Sequence, residues 1–332
     1  MSSRVLQMKH NWKITFILLF MFALTQFIGL YVIDSDPFHI KVTQANGTVE
    51  TVTNPDLSWI QPPEIQQKSD FTAYLGSIIF SFVIAILILF LLTKFKVNII
   101  LRVWFFSVVA IALFITFNAI FPKEILSNSL YFTIPAVILA VGLSFLKTFK
   151  RNFIIHNLTE LLIYPGIATI FVPILNLWTV LVLLLIISAY DIWAVWHSGI
   201  MQKMAKYQIN NLKVFSGFFI PYISKKLRLQ LRKLRRNKKF KNKKVRVNVA
   251  ILGGGDVIFP IITAGVVLTM KEAPWGLPNF TGGLLPAIFV VAGATLGLGL
   301  LFMFSQKKKF YPAMPFITAG IFVGMILSYF LL

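Results

Sequence analysis

Two aspartates stand in apolar surroundings where a charge is expensive. Asp191 follows Ser188-Ala189-Tyr190 and precedes Ile192-Trp193-Ala194-Val195; Asp256 follows Leu252-Gly253-Gly254-Gly255 and precedes Val257-Ile258-Phe259-Pro260. An ionisable group inside a membrane-crossing segment costs about 2.5–3.5 kcal/mol on insertion scales and is a functional hypothesis by default. Where two such carboxylates meet, both cannot ionise at close range, so the pair shares one proton. One base and one acid then flank a water molecule, the arrangement that paired aspartates need for amide hydrolysis. Taken singly, each aspartate is equally well accounted for by a hydrogen bond to a neighbouring helix. The flanking residues tip the reading. Three glycines in a helix cost about 1 kcal/mol each relative to alanine, and they fit a position where a second backbone, here a substrate strand, comes close.

The elements that must hold these residues follow from composition. Of 332 residues, 57% are hydrophobic and 13% charged, with a mean hydropathy of +0.79; soluble domains run at about 45–50% and about 25%. This oiliness, a net charge of +21 and the lack of cysteine exclude a soluble enzyme, a disordered chain, a disulfide scaffold, thiolate metal sites and cysteine catalysis. An all-α polytopic membrane protein remains. A hydrocarbon core of about 30 Å needs about 20 apolar residues per crossing. Nine such stretches can be read, at 12–33, 71–93, 97–121, 129–147, 153–173, 176–197, 248–270, 281–304 and 312–332. None alternates apolar and polar residues as barrel strands do. The first is preceded by a basic segment without a small-residue cleavage site, which reads as an uncleaved helix.

The charges then orient the spans. With the N-terminus inside, segments 1–13, 94–102, 147–151, 198–248 and 305–311 hold 28 of the 32 Lys+Arg and no acid. The outer segments hold Lys41, Lys68, Lys123, Lys271 and eight of the eleven acids. The positive-inside rule therefore predicts a cytoplasmic N-terminus and an extracytoplasmic C-terminus. The three remaining acids, Glu160, Asp191 and Asp256, fall inside spans. Asp191 lies six residues before His197 at the inner end of span six, and Asp256 eight residues after Asn248 at the inner end of span seven. At 1.5 Å per residue both would lie roughly 9–12 Å below the inner surface.

A third element shares that side. Tyr311-Pro312-Ala313-Met314-Pro315 follows three lysines where span nine begins. Proline at a helix start is unremarked in itself, but two of them make a short irregular stretch, tolerated at membrane depth only when buried or lining a cavity. Tyr190-Asp191, Gly253-x-Gly255-Asp256 and Pro312-Ala313-Met314 together resemble the YD, GxGD and PAL pattern of the presenilin family, most closely its archaeal homologues, in order, spacing and nine-span topology. The family usually has Leu where Met314 stands, a mild change of volume and polarity. The resemblance implies an intramembrane aspartyl protease with Asp191 and Asp256 as its dyad. It further implies that Tyr190, Gly253, Gly254, Gly255, Pro312, Ala313 and Met314 organise substrate and site, with no metal and no cofactor. Signal peptide peptidases share these motifs in a membrane-inverted arrangement; the charge asymmetry favours the presenilin orientation, and hence single-span substrates with their N-terminus outside. A substrate helix must unwind before water can attack, and its freed strand would pair with irregular backbone at 253–255 or 312–314 by β-augmentation.

The remaining features read more plainly. His156 and Glu160, four apart on span five, share a face, which reads as an ion pair within the bundle, with a proton relay or a substrate contact as the alternative; His10, His39 and His197 lie near ends or in loops. No HExxH is present, which excludes a zinc intramembrane protease. Gly142-Leu143-Ser144 reads as packing, as do Gly293-xxx-Gly297 and Gly320-xxx-Gly324. Trp12, Trp104, Trp178, Trp193 and Trp196 fall at interfaces. Residues 1–197 form an N-terminal membrane part, 198–247 a basic cytoplasmic loop, partly disordered, and 248–332 a C-terminal membrane part. The segment 198–248 carries 16 Lys+Arg and no acid, which suits anionic lipid headgroups, with no nucleic acid expected. Its start, 198–219, is mildly amphipathic. Asn46 and Asn279 head sequons in outer segments, and alternating runs around Asn46-Gly47 predict a hairpin in loop 34–70. A prokaryotic, archaeal membrane is the expected setting. Two rivals stand beside the protease: a prepilin or preflagellin type of GxGD peptidase, which is shorter and lacks the proline-alanine motif, and a cation channel or transporter with acids along its path, which should show an internal repeat.

Overall fold

Apolar stretches of the lengths above fold as helices because, away from water, a helix satisfies its own backbone groups. The computed structural model describes residues 12–43, 48–94, 98–121, 130–150, 152–198, 216–222, 248–271, 282–305 and 311–332. Among the described residues there are nine α-helices: α1 Trp12–Asp34, α2 Lys68–Lys94, α3 Asn98–Ile120, α4 Leu130–Phe149, α5 Phe153–Phe171, α6 Leu177–Trp193, α7 Gly254–Thr269, α8 Leu284–Phe304 and α9 Met314–Leu331. Seven are long and apolar enough to cross a membrane; α7 and the Thr133–Phe149 portion of α4 are shorter apolar helices. Asn152 caps α5 by accepting the Ile154 N–H, and Asn176 forms a reciprocal capping box with Thr179 at the start of α6.

The main core is shared by α1, α5, α6, α7, α8 and α9, with Leu18, Phe22, Leu184, Ile261, Leu298 and Ile317 fully buried. A second cluster joins α3 and α4 to Ile163 of α5. Helix α2 stands apart, burying Leu75 against the main core while Phe80, Val83 and Leu87 face outward. Gly293, Gly297, Gly320 and Gly324 do what their spacing predicted: a Cβ on any of them would run into backbone of the facing helix, so α8 and α9 touch main chain to main chain. Trp12, Trp104, Trp178, Trp193 and Trp196 are all exposed. The expected hairpin is present as β1 (His39–Thr43) antiparallel to β2 (Val49–Thr53), while Asn46 and Gly47 lie outside the described residues.

One expected span is corrected. Residues 248–253 are not the first turns of a helix but a strand, β4 (Asn248–Gly253), paired antiparallel with β3 (Gly217–Tyr222) from the segment read as a loop. Ala250 and Leu252 are buried while Val249 and Ile251 are exposed, the period of two that a half-buried strand demands. Helix α7 begins only at Gly254. Residues 199–215 and 223–247 of the basic segment, including most of the amphipathic stretch and the tether, lie outside the described residues.

Candidate active site

Starting α7 at Gly254 puts Asp256 in its first turn, with Gly253 as the extended N-cap. The depth derived by counting helical rise from Asn248 therefore does not hold, yet the aspartates still match when counted from the other ends. Asp191 is 14 residues from Leu177 and Asp256 is 13 from Thr269, about 21 Å and about 20 Å of helix. The two helices run in opposite directions, since Gly265 near the end of α7 lies against Val172, just before α6. Helices α6 and α7 pack directly, and Asp191 is near enough to Asp256 to act on its charge.

Each carboxylate sits at a helix N-terminus, where backbone N–H groups lack partners. Asp256, third residue of α7, bonds back to the Gly253 N–H. Asp191 reaches across to α9: its Oδ2 accepts the Met314 N–H at 3.1 Å, with the Ala313 N–H also turned to it. Helix α9 has no side-chain cap of its own, and Pro315 carries no N–H, so Asp191 acts as the cap for a different helix. This is the physical content of the proline-alanine stretch: Pro312 and Met314 are buried, Ala313 half-buried, and their backbone holds the carboxylate. Three residues before Asp191, Ser188 meets Thr318 of α9 hydroxyl to hydroxyl at 2.8 Å, a second tie between the same helices. After Trp193 the chain makes a π-helical turn, Ala194–Ser198, a distortion that often marks functional segments.

The glycines divide. A Cβ at Gly254 would lie 2.8 Å from both Ser216 Oγ and Tyr164 Oη, so this glycine is required by packing against α5 and the start of β3. At Gly253 it would come 3.1 Å from the Asp256 carboxylate. At Gly255 the nearest atom would be Phe259 Cε2 at 3.7 Å, and the residue is exposed. Tyr190 is half-buried and turns its ring edge-on to Phe82 of α2, 5.6 Å between centroids, so it braces α2 against α6.

Several partners were missed by sequence reasoning. Glu160 does contact His156, at 3.5 Å, but its principal partner is Lys147 of α4, and both side chains are 1% exposed. Lys147, counted above among the inner-surface cations, is therefore a buried ion-pair partner. A cation still inside the last turn of one span, Lys147, and a lone acid in the next, Glu160, were the available signal. Ser144 donates to the Phe106 carbonyl, as a packing residue would. No group of three or more His, Cys, Asp and Glu able to hold a metal ion occurs among the described residues.

The ribbon β3–β4 runs into this site. Gly217 stands opposite Gly253, Phe219 opposite Ile251 and Pro221 opposite Val249. The Phe219 N–H and carbonyl both bond the Asn157 side chain instead of β4. These are thus the pairs that exchange no bonds across the ribbon, and Val249 and Ile251 turn their own N–H and C=O groups to the far edge of β4.

This geometry can be set beside known proteins. No curated protein sequence matches the chain. A solved presenilin family intramembrane aspartate protease in a C222 space group is similar over 96% of this chain and 99% of that one, with a TM-score of 0.57 at 16% identity. A presenilin family intramembrane aspartate protease in a P2 space group is similar over 97% and 100%, with a TM-score of 0.55 and 16% identity. At that identity the likeness speaks for the fold. The model of the signal-peptide peptidase, presenilin aspartyl protease family matches residues 44–332. The chain belongs to that family, an integral membrane protein among the aspartic-type intramembrane endopeptidases.

Proposed function

We propose that this protein hydrolyses peptide bonds within transmembrane helices of other membrane proteins, with Asp191 and Asp256 as the catalytic pair. The observation that carries this reading is that two carboxylates stand on packed, oppositely directed helices at matching distance from their far ends, each tied to backbone N–H groups at a helix start. One aspartate, ionised, takes a proton from water as its oxygen attacks the scissile carbonyl. The other, protonated, donates to the carbonyl oxygen and then helps protonate the leaving amine. The protons belong to the pair, not to either residue. Pro312, Ala313 and Met314 hold Asp191; Gly253 and Gly254 set the turn that aims Asp256; Gly255 leaves room for substrate.

The substrate backbone must be extended to be attacked, and a strand edge is what receives an extended backbone. Val249 and Ile251 offer such an edge two to four residues before Gly253, so a strand pairing there leads its scissile bond toward Asp256. This replaces 253–255 or 312–314 as the docking backbone. The charge asymmetry supports nine crossings with a cytoplasmic N-terminus, an extracytoplasmic C-terminus and single-span substrates with their N-terminus outside. Segment 198–248 binds anionic lipid headgroups at the inner surface of a prokaryotic, archaeal membrane.

The test is purified protein with a fluorogenic transmembrane peptide. Wild type cleaves it, Asp191→Ala and Asp256→Ala do not although both are expressed, and a transition-state isostere bearing a hydroxyl in place of the diol inhibits. Full cleavage by either aspartate variant sinks the assignment.

A further inference from the structure

Polar side chains of α4 and α5 converge on strand β3, and none belongs to the aspartate pair. Asn157 Nδ2 donates to the Phe219 carbonyl at 2.9 Å, while its Oδ1 accepts the Phe219 N–H at 3.1 Å. One amide thus makes both bonds that a neighbouring strand would make at that residue. His156 Nε2 lies 2.8 Å from the Gly217 carbonyl, and its ring packs on Phe219 with centroids 4.6 Å apart. A carbonyl only accepts, so Nε2 carries the proton and Nδ1 is left to accept from Lys147 Nζ at 3.4 Å. Lys147 is held in turn by Glu160 in the buried ion pair. The chain of contacts runs Glu160, Lys147, His156, Gly217, and from there across the ribbon to Gly253, three residues before Asp256.

A two-stranded ribbon has two outer edges, and either can template an incoming strand. Here the edge of β3 is occupied at residues 217 and 219 by side chains of α5, and Pro221 offers no N–H. We propose that Asn157 is a positioning residue, seconded by His156 as Lys147 and Glu160 hold it: it seals the β3 edge, so that an extended substrate pairs only with β4, in the one position that brings its scissile bond to Asp256. The inference rests on the protease reading above.

The test uses the full-length protein in lipid nanodiscs. Asn157→Leu keeps the side-chain size and removes both bonds; His156→Phe keeps the ring on Phe219 and removes the bond to Gly217. Amide exchange at Phe219 should quicken about tenfold or more in Asn157→Leu, since its N–H loses its acceptor. Per active site titrated with a hydroxyl isostere, kcat should fall about tenfold to a hundredfold with KM changed less than about threefold, as expected when substrate still binds but sits out of place. Product masses should reveal cleavage spread to bonds two residues to either side. His156→Phe should spread the products in the same way, more weakly. If both variants give wild-type products and wild-type kcat per titrated site, with only the amount of active protein reduced, Asn157 merely stabilises the fold and the proposal is overturned. If wild type cleaves nothing, the protease reading fails and takes this one with it; wild-type cleavage with unshifted variants sinks this one alone.

Discussion

A methyl group is the smallest probe of the glycine run before Asp256. At Gly254 it meets Ser216 and Tyr164 at 2.8 Å, whereas at Gly255 it meets only Phe259 at 3.7 Å. Gly254→Ala forces the start of α7 away from α5 and should cost about 1–3 kcal/mol, the usual range for overpacking, visible as a lowered thermal midpoint. Gly255→Ala has room and gains about 1 kcal/mol of helix propensity. It should fold at least as well as wild type and yet raise KM for a transmembrane peptide if, as proposed, the substrate strand runs along its open side. Unchanged kinetics in Gly255→Ala would remove substrate approach as the reason for that glycine. The two changes are one chemical group apart, so opposite signs in stability and activity separate packing from contact.

Besides apolar contacts and the Lys147–His156 bond, a buried ion pair, Lys147 with Glu160, joins helices α4 and α5. Removing one partner leaves an uncompensated charge, so Glu160→Gln should cost about 3–5 kcal/mol, while the double change Lys147→Met with Glu160→Leu should recover most of that loss. Thermal unfolding of the three proteins in one detergent measures it; a double variant no more stable than Glu160→Gln would remove the pair as the link. Such ties explain what was and was not legible. The seven long apolar helices were readable because about 20 apolar residues make a crossing whatever their neighbours, and the two aspartates stood out because each interrupts an apolar run. Strand β4 was not, because Val249-Ala250-Ile251-Leu252 is apolar at every position and fits either period. Its partner Gly217-Phe218-Phe219 lies about thirty residues back in a basic segment. The bond from Met314 N–H to Asp191 spans 123 positions of sequence, and no local pattern announces which carboxylate caps which helix.

At the scale of the whole molecule, 28 of 32 Lys+Arg fall in segments that the proposed orientation puts on the inner side, although Lys147 among them is buried in its ion pair. Because it has no cysteine, single cysteines report orientation without background. Lys41→Cys should react with an impermeant maleimide on intact cells and Lys150→Cys only after permeabilisation; the reverse pattern would invert the protein and with it the substrate topology. Helix α7, at 16 residues, is about 24 Å long, short of an ordinary bilayer's hydrocarbon layer of about 30 Å. The shortfall falls at the Asp256 end, where a strand takes over from the helix. Helix α7 is enclosed by α1, α5, α6, α8 and α9, so protein and not lipid surrounds that shortfall. On the proposed protease reading, the reagent that every hydrolysis consumes reaches Asp256 between protein walls, from the end where strand β4 gives way to the helix, so side chains of the bundle and not the host lipid set the water supply.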